Sequence, residues 1–165
     1  MPACYRFLLM LILTISGLPA VATGVLEVST LDGERARLAD YFEPGRRTLV
    51  MIWTTYCEVC AREFPRIEAL HRAHEDRDLK VLGLAADGPR ARDAVRRTLA
   101  ARAASFNSVV AERAEIAASY HRYTGATFAG TPTYLLFDES GELAAHLTGP
   151  LDIAALEREL DADAR

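Results

Sequence analysis

The chain has 165 residues, half of them apolar and a quarter charged, with a formal net charge of −4. That length suits one domain with a short extension, and the composition is that of a globular protein. There is no basic excess to imply nucleic acid as a partner, and three cysteines are too few for a disulfide-stapled scaffold.

The first segment reads as an export signal over residues 1–22. Arg6 supplies a positive start, residues 7–15 form an apolar stretch, and Ala20-Val21-Ala22 is a small-x-small cleavage site. The apolar run is broken by Ser16, Gly17 and Pro19, short of the roughly 20 residues a membrane span needs. An uncleaved anchor is the alternative, and only it would bring membrane contact. Cys4 precedes the apolar run, which argues against a lipoprotein. Cleavage after Ala22 would leave one domain, residues 23–165, holding Cys57 and Cys60 as its cysteines.

Residues 25–31 alternate in polarity and end at Asp32-Gly33, a turn signal, and residues 35–38 could return as the second strand of a hairpin. Residues 39–42 suit one helical turn, ended by Pro44-Gly45. Residues 48–53 are a nearly continuous apolar run, the pattern of a strand buried on both faces. A helix is predicted from Cys57 to about Asp76, with Pro65 inside it and expected to kink it.

A second buried strand spans residues 79–85. A helix over 91–104 should turn Ala94, Val95, Leu99 and Ala103 inward. A short strand at 106–110 and a helix at 114–123, ending at Thr124-Gly125, follow. Strands at 133–137 and 143–147 are joined by the turn Asp138-Glu139-Ser140-Gly141. A closing helix over 151–160 carries the apolar stripe Leu151, Ile153, Leu156 and Leu160. Strand–helix alternation implies parallel strands with helical crossovers, and the late hairpin makes the sheet mixed, with helices on both faces.

The chemistry concentrates in Trp53-Thr54-Thr55-Tyr56-Cys57-Glu58-Val59-Cys60, where a buried strand ends and a helix begins. The first turn of a helix carries free N–H groups and partial positive charge, which stabilise a thiolate at Cys57. Cys60 lies one turn on, close enough to close a disulfide. A bridge across so short a loop adds little stability by loop closure, so reactivity is the better explanation of the pair.

Trp53-x-x-Tyr56-Cys57-x-x-Cys60, Glu63-Phe64-Pro65, Gly130-Thr131-Pro132-Thr133 and Asp138-x-x-Gly141 together resemble the thioredoxin superfamily, and more closely its exported TlpA/ResA/DsbE-like thiol–disulfide oxidoreductases. The resemblance covers residues 25–160. It implies an α/β, three-layer thioredoxin-like fold with an N-terminal β-hairpin extension and a periplasmic location. It further implies that Cys57 is the attacking thiol and Cys60 the resolving thiol, that Pro132 is a cis-proline facing them, and that Trp53, Thr131 and Pro132 border the substrate. Glu63 matches the family's acidic residue and is the candidate to take a proton from Cys60; a solvated Glu favouring the helix start is the bland alternative. The implied partners are exported disulfide proteins, with apocytochrome c and copper-site cysteines among the substrate classes, and a membrane electron donor. No cofactor or metal is implied.

Two departures matter. Tyr56 replaces a second Trp, and Glu58-Val59 stands between the cysteines with neither a proline before Cys60 nor a histidine. A negative Glu58 disfavours the neighbouring thiolate and points to a reducing enzyme. A copper carrier of the same fold, with Cys57 and Cys60 as soft Cu(I) ligands, is the alternative function. Zinc held by the cysteines with His71 and His74 fails on distance, because a continuous helix sets His71 about 16 Å from Cys60; those histidines should flank the apolar stripe or face solvent. A peroxidase of the peroxiredoxin type would want Pro-x-x-x-Thr-x-x-Cys, which the residues before Cys57 do not supply.

Overall fold

The computed structural model describes residues 26–163, so the expected signal segment, its cleavage site and Cys4 lie outside the described residues. Seven strands form one mixed sheet in the order β2-β1-β5-β4-β3-β6-β7. β1 (Glu27–Thr30) and β2 (Arg35–Arg37) make the expected hairpin, and β1 joins it to the sheet by pairing antiparallel with β5 (Asn107–Val110). A single 3-10 turn, Leu38–Tyr41, follows β2.

The centre is β3 (Arg47–Trp53), parallel to β4 (Leu79–Ala85) and antiparallel to β6 (Thr133–Phe137). Its side chains alternate across the sheet. Leu49, Met51 and Trp53 enter one core and Val50 and Ile52 the other, which is why the strand reads as an unbroken apolar run. The first core is covered by α1 (Glu58–His74), α2 (Arg92–Ala101) and α4 (Ile153–Asp163) through Phe64, Ile67, Leu70, Val95, Leu99, Leu156 and Leu160. The second is covered by α3 (Arg113–Thr124) through Ile116 and Tyr120. β7 (Leu143–Thr148) is the outer partner of β6.

α2 is shorter than its apolar pattern suggests. The chain leaves the helix at Arg102, and Ala103 takes a left-handed φ of +51° and is exposed, so it does not join the inner face. Ala94 is half-buried, leaving Val95 and Leu99 as the buried side chains of α2. α1 runs through Pro65, whose ring nitrogen has no proton to give the Ala61 carbonyl. Its far end is held by Arg46, whose guanidinium donates to the carbonyls of His74, Glu75 and Leu79. Arginine at a helix C-terminus satisfies orphan carbonyls and opposes the negative pole of the helix.

Candidate active site

Cys57 and Cys60 form a disulfide with a Cα–Cα separation of 5.2 Å. Cys57 is the N-cap of α1. It keeps an extended backbone, and its Sγ accepts the Cys60 amide at 3.1 Å. That amide is one of the donors a helix start leaves without a backbone partner, so the first turn solvates sulfur at Cys57. The two sulfurs are unequal. Cys60 has no exposed surface and belongs to the first core, whereas Cys57 is half-buried at its edge. Glu58 and Tyr56 are exposed on either side of Cys57.

The strand that delivers the motif is held from below. Trp53 stands edge-on to Phe64, ring centroids 4.9 Å apart, and has no exposed surface. This corrects the expected substrate contact: Trp53 is roofed by α1 and supports the site from inside. Tyr56, 73 % exposed, is the aromatic that the motif presents to solvent. Trp53, with Ser108, also crowds Gly83 on the neighbouring strand. A Cβ there would lie 2.2 Å from Ser108 Oγ and 3.1 Å from Trp53 Nε1, so a methyl group does not fit.

Thr131 and Pro132 close the site from the other side. The Thr131–Pro132 peptide is cis, and the Thr131 carbonyl oxygen lies 3.5 Å from Cys57 Sγ. The segment is fastened to β7, because the Gly149 amide donates to the Pro132 carbonyl at 2.9 Å and the Thr133 and Thr148 hydroxyls meet at 3.0 Å.

Glu63 sits one turn beyond Cys60 and is buried, 4 % exposed, so it is not a solvated helix-start carboxylate. Three donors converge on it. The Leu151 amide at 2.9 Å and the Tyr134 hydroxyl at 3.3 Å share Oε2, and Arg66 reaches Oε1 at 2.9 Å. Burial, then the Glu63 charge and hydrogen bond, push the Tyr134 hydroxyl far above its ordinary value of 10.

Asp87 is a site residue that motif reading missed. Its carboxylate accepts the Thr55 amide at 3.1 and 3.2 Å and the Thr55 hydroxyl at 2.5 Å, pinning the loop two residues before Cys57. Asp87-Gly88-Pro89 reads as a turn ending a strand; only the side-by-side pairing of β3 and β4 brings it under the motif.

The histidines stand elsewhere. His74 is buried and bonds Asp78 at 2.7 Å, so of the two expectations for it the solvent-facing one is corrected; His71 pairs with Glu75 at 3.1 Å. His146 Nδ1 meets the Tyr120 hydroxyl at 3.0 Å, and His121 Nδ1 the Ala126 carbonyl at 3.2 Å. Among the described residues no group of three or more His, Cys, Asp and Glu side chains is placed to hold a metal ion.

The AhpC/TSA family profile matches residues 21–146. Sporulation thiol-disulfide oxidoreductase A of Bacillus subtilis is 25 % identical over 140 residues, covering 84 % of this chain and 79 % of its own length. Thiol-disulfide oxidoreductase ResA of Geobacillus kaustophilus is 24 % identical over 134 residues, covering 81 % of this chain and 71 % of its own. The thioredoxin domain of a thiol-disulfide oxidoreductase from Bacteroides vulgatus superposes with a TM-score of 0.66 at 22 % identity, over 86 % of this chain and 99 % of that one.

Proposed function

The chain belongs to the AhpC/TSA family of thioredoxin-like proteins and is a thiol–disulfide oxidoreductase, and from that premise we propose that it reduces disulfides of exported proteins through a Cys57/Cys60 cycle. The observation that carries this reading is the asymmetry of the pair. A reachable Cys57 caps α1 beside the cis Thr131–Pro132 peptide, and a resolving Cys60 is hidden behind it.

In the reduced protein the Cys57 thiolate attacks one sulfur of a substrate disulfide. The Cys57–substrate bond forms, and the other substrate sulfur leaves as a thiolate that takes up a proton. Cys60, its proton passed to Glu63, then attacks Cys57 Sγ, releasing the second substrate thiol and forming Cys57–Cys60. Two electrons have passed to the substrate. A membrane electron donor returns two electrons and two protons to the pair.

Exposed Glu58, in the first turn of α1, opposes the thiolate that the helix start favours, and so supports the reducing direction. Export with cleavage after Ala22 places the domain in the periplasm, where apocytochrome c and copper-site cysteines are candidate substrates. N-terminal sequencing of exported protein should begin near Thr23; recovery of Met1 in the membrane fraction replaces cleavage with anchoring.

The central test uses a disulfide peptide and intact-mass spectrometry. Reduced protein should convert the peptide to two thiols, Cys60→Ser should stop at a peptide adduct on Cys57, and Cys57→Ser should be inert. An adduct formed on Cys60 in preference to Cys57 overturns the assignment.

A further inference from the structure

Five of the nineteen basic residues of this acidic chain fall within one short segment that reaches the motif. Residues 90–102 hold Arg90, Arg92, Arg96, Arg97 and Arg102 against one acid, Asp93, within a chain of net charge −4. Arg96 is engaged by Asp32 and by the Leu31 carbonyl. Arg92 packs its guanidinium over Gly33. Arg90, Arg97 and Arg102 are exposed and make no ion pair among the described residues.

Two of these arginines border an open cleft of about 510 Å³. Its lining from α2 includes the short side chains of Ala94, Thr98 and Ala101, beside Arg97 and Arg102. Its remaining lining residue is Thr55, in the loop that leads into Cys57. Thr98 turns its hydroxyl onto the Ala94 carbonyl, so these short side chains offer little polarity of their own. The guanidinium groups are then the recognition elements, and among the described residues neither forms an ion pair. Of the acids on the neighbouring segments, Asp87 is occupied with Thr55 and Asp32 with Arg96, and Asp93 and Glu58 are exposed.

Resting on the oxidoreductase reading, we propose that this cleft docks an acidic segment of the substrate polypeptide, flanking its disulfide, and delivers that disulfide to Cys57. Guanidinium groups suit carboxylates by charge and by their planar donor pairs, and a cluster of one sign beside a reactive group raises the encounter rate of oppositely charged partners. A cleft that reaches Thr55, two residues before Cys57, fits a substrate polypeptide better than a lipid surface. No large apolar side chain lines it; among the described residues the exposed large hydrophobics are Tyr56, which follows Thr55 in the chain, and Leu147.

The test uses the reduced full chain and two disulfide peptides identical except for glutamates or lysines flanking the cystine. Each rate is divided by the same protein's rate with uncharged hydroxyethyl disulfide. The acidic peptide should react about tenfold faster than the basic one at low salt, a preference that fades as salt screens the charges. Arg97→Gln with Arg102→Gln should bring the ratio close to one, and Arg97→Lys with Arg102→Lys should restore most of it. Equal rates with the two peptides in the unmodified protein overturn the proposal, as does a preference that survives the glutamine substitutions. So does a loss of phosphatidylglycerol vesicle binding in the glutamine variant while peptide preference is unmoved, because the patch then serves a membrane. Failure to reduce even hydroxyethyl disulfide brings down the oxidoreductase reading itself, and the docking proposal with it.

Discussion

The Leu151 amide donates to the Glu63 carboxylate at 2.9 Å, joining residues 88 positions apart in the chain. This bond ties the segment ahead of α4 to the helix that carries both cysteines, and it places a buried acceptor one turn behind Cys60. Glu63 is therefore both a joint between elements and the candidate acceptor of the Cys60 proton.

These two roles separate on substitution. Glu63→Gln keeps the size and an oxygen for Leu151, so the fold should survive with a stability loss of about 1 kcal/mol. The rate at which Cys60 resolves a preformed mixed disulfide should fall, while attack by Cys57 changes less. Stopped-flow resolution rates across pH test this; an unchanged profile leaves Glu63 with the joint alone. Glu63→Leu should cost about 3 kcal/mol in urea unfolding, because the Leu151 amide and Tyr134 hydroxyl lose a buried partner.

Tyr134 carries an alkaline prediction. Its folded-state pKa is raised, by burial first and then by Glu63, so the unfolded chain loses this proton at lower pH than the folded chain. Stability from this group is fully present below the unfolded value near 10 and declines as pH rises above it. Urea midpoints should fall from about pH 10 upward, less steeply in Tyr134→Phe. The same variant should cost about 1 kcal/mol at neutral pH through loss of the bond to Glu63.

Glu68 carries the acid counterpart. Burial would raise its pKa, but the Ser105 amide and hydroxyl and Arg72 outweigh that and hold it below the ordinary 4.5. The Ser105 amide lies 2.8 Å and the hydroxyl 2.7 Å from the carboxylate, linking α1 to the segment before β5. Its contribution is present above pH 4.5 and is lost as pH falls through the lower folded value. Glu68→Gln should be less stable at neutral pH and show a shallower acid loss, read from unfolding midpoints between about pH 5 and pH 2.

The potential of the Cys57–Cys60 couple should lie near the reducing end of the superfamily, about −270 mV, well below the strong oxidants at about −120 mV. Glu58 is exposed in the first turn of α1 with no cation between the cysteines to favour the thiolate. Trp53 is the single tryptophan, shares a core with Cys60, and should report the change as fluorescence in glutathione or dithiothreitol buffers. Glu58→Gln should shift the potential upward; a potential at the oxidant end in the unmodified protein reverses the direction assigned to the cycle.

Much of this protein was determined by short stretches of sequence. The apolar run of β3, the alternation into two cores, the helix starting after Cys57 and the turns at Asp32-Gly33 and Thr124-Gly125 all rest on period, propensity and backbone freedom, which act over a few residues. The cysteine pair is likewise local, because three residues of separation at a helix start set its geometry.

What the tertiary structure alone decided depends on residues that the chain brings together late. Trp53 became interior support, not surface, once α1 folded back over it. Asp87 reached Thr55 because β3 and β4 pair in parallel, and Glu63 acquired Tyr134 and Leu151 because β6 and the entrance to α4 close under α1. Ala103 turned outward because the helix ended two residues before it, whatever its apolar pattern allowed. Burial and hydrogen-bond partnership are properties of the whole packing, and residues 32, 71 and 88 positions apart carry no mutual signal in a single sequence.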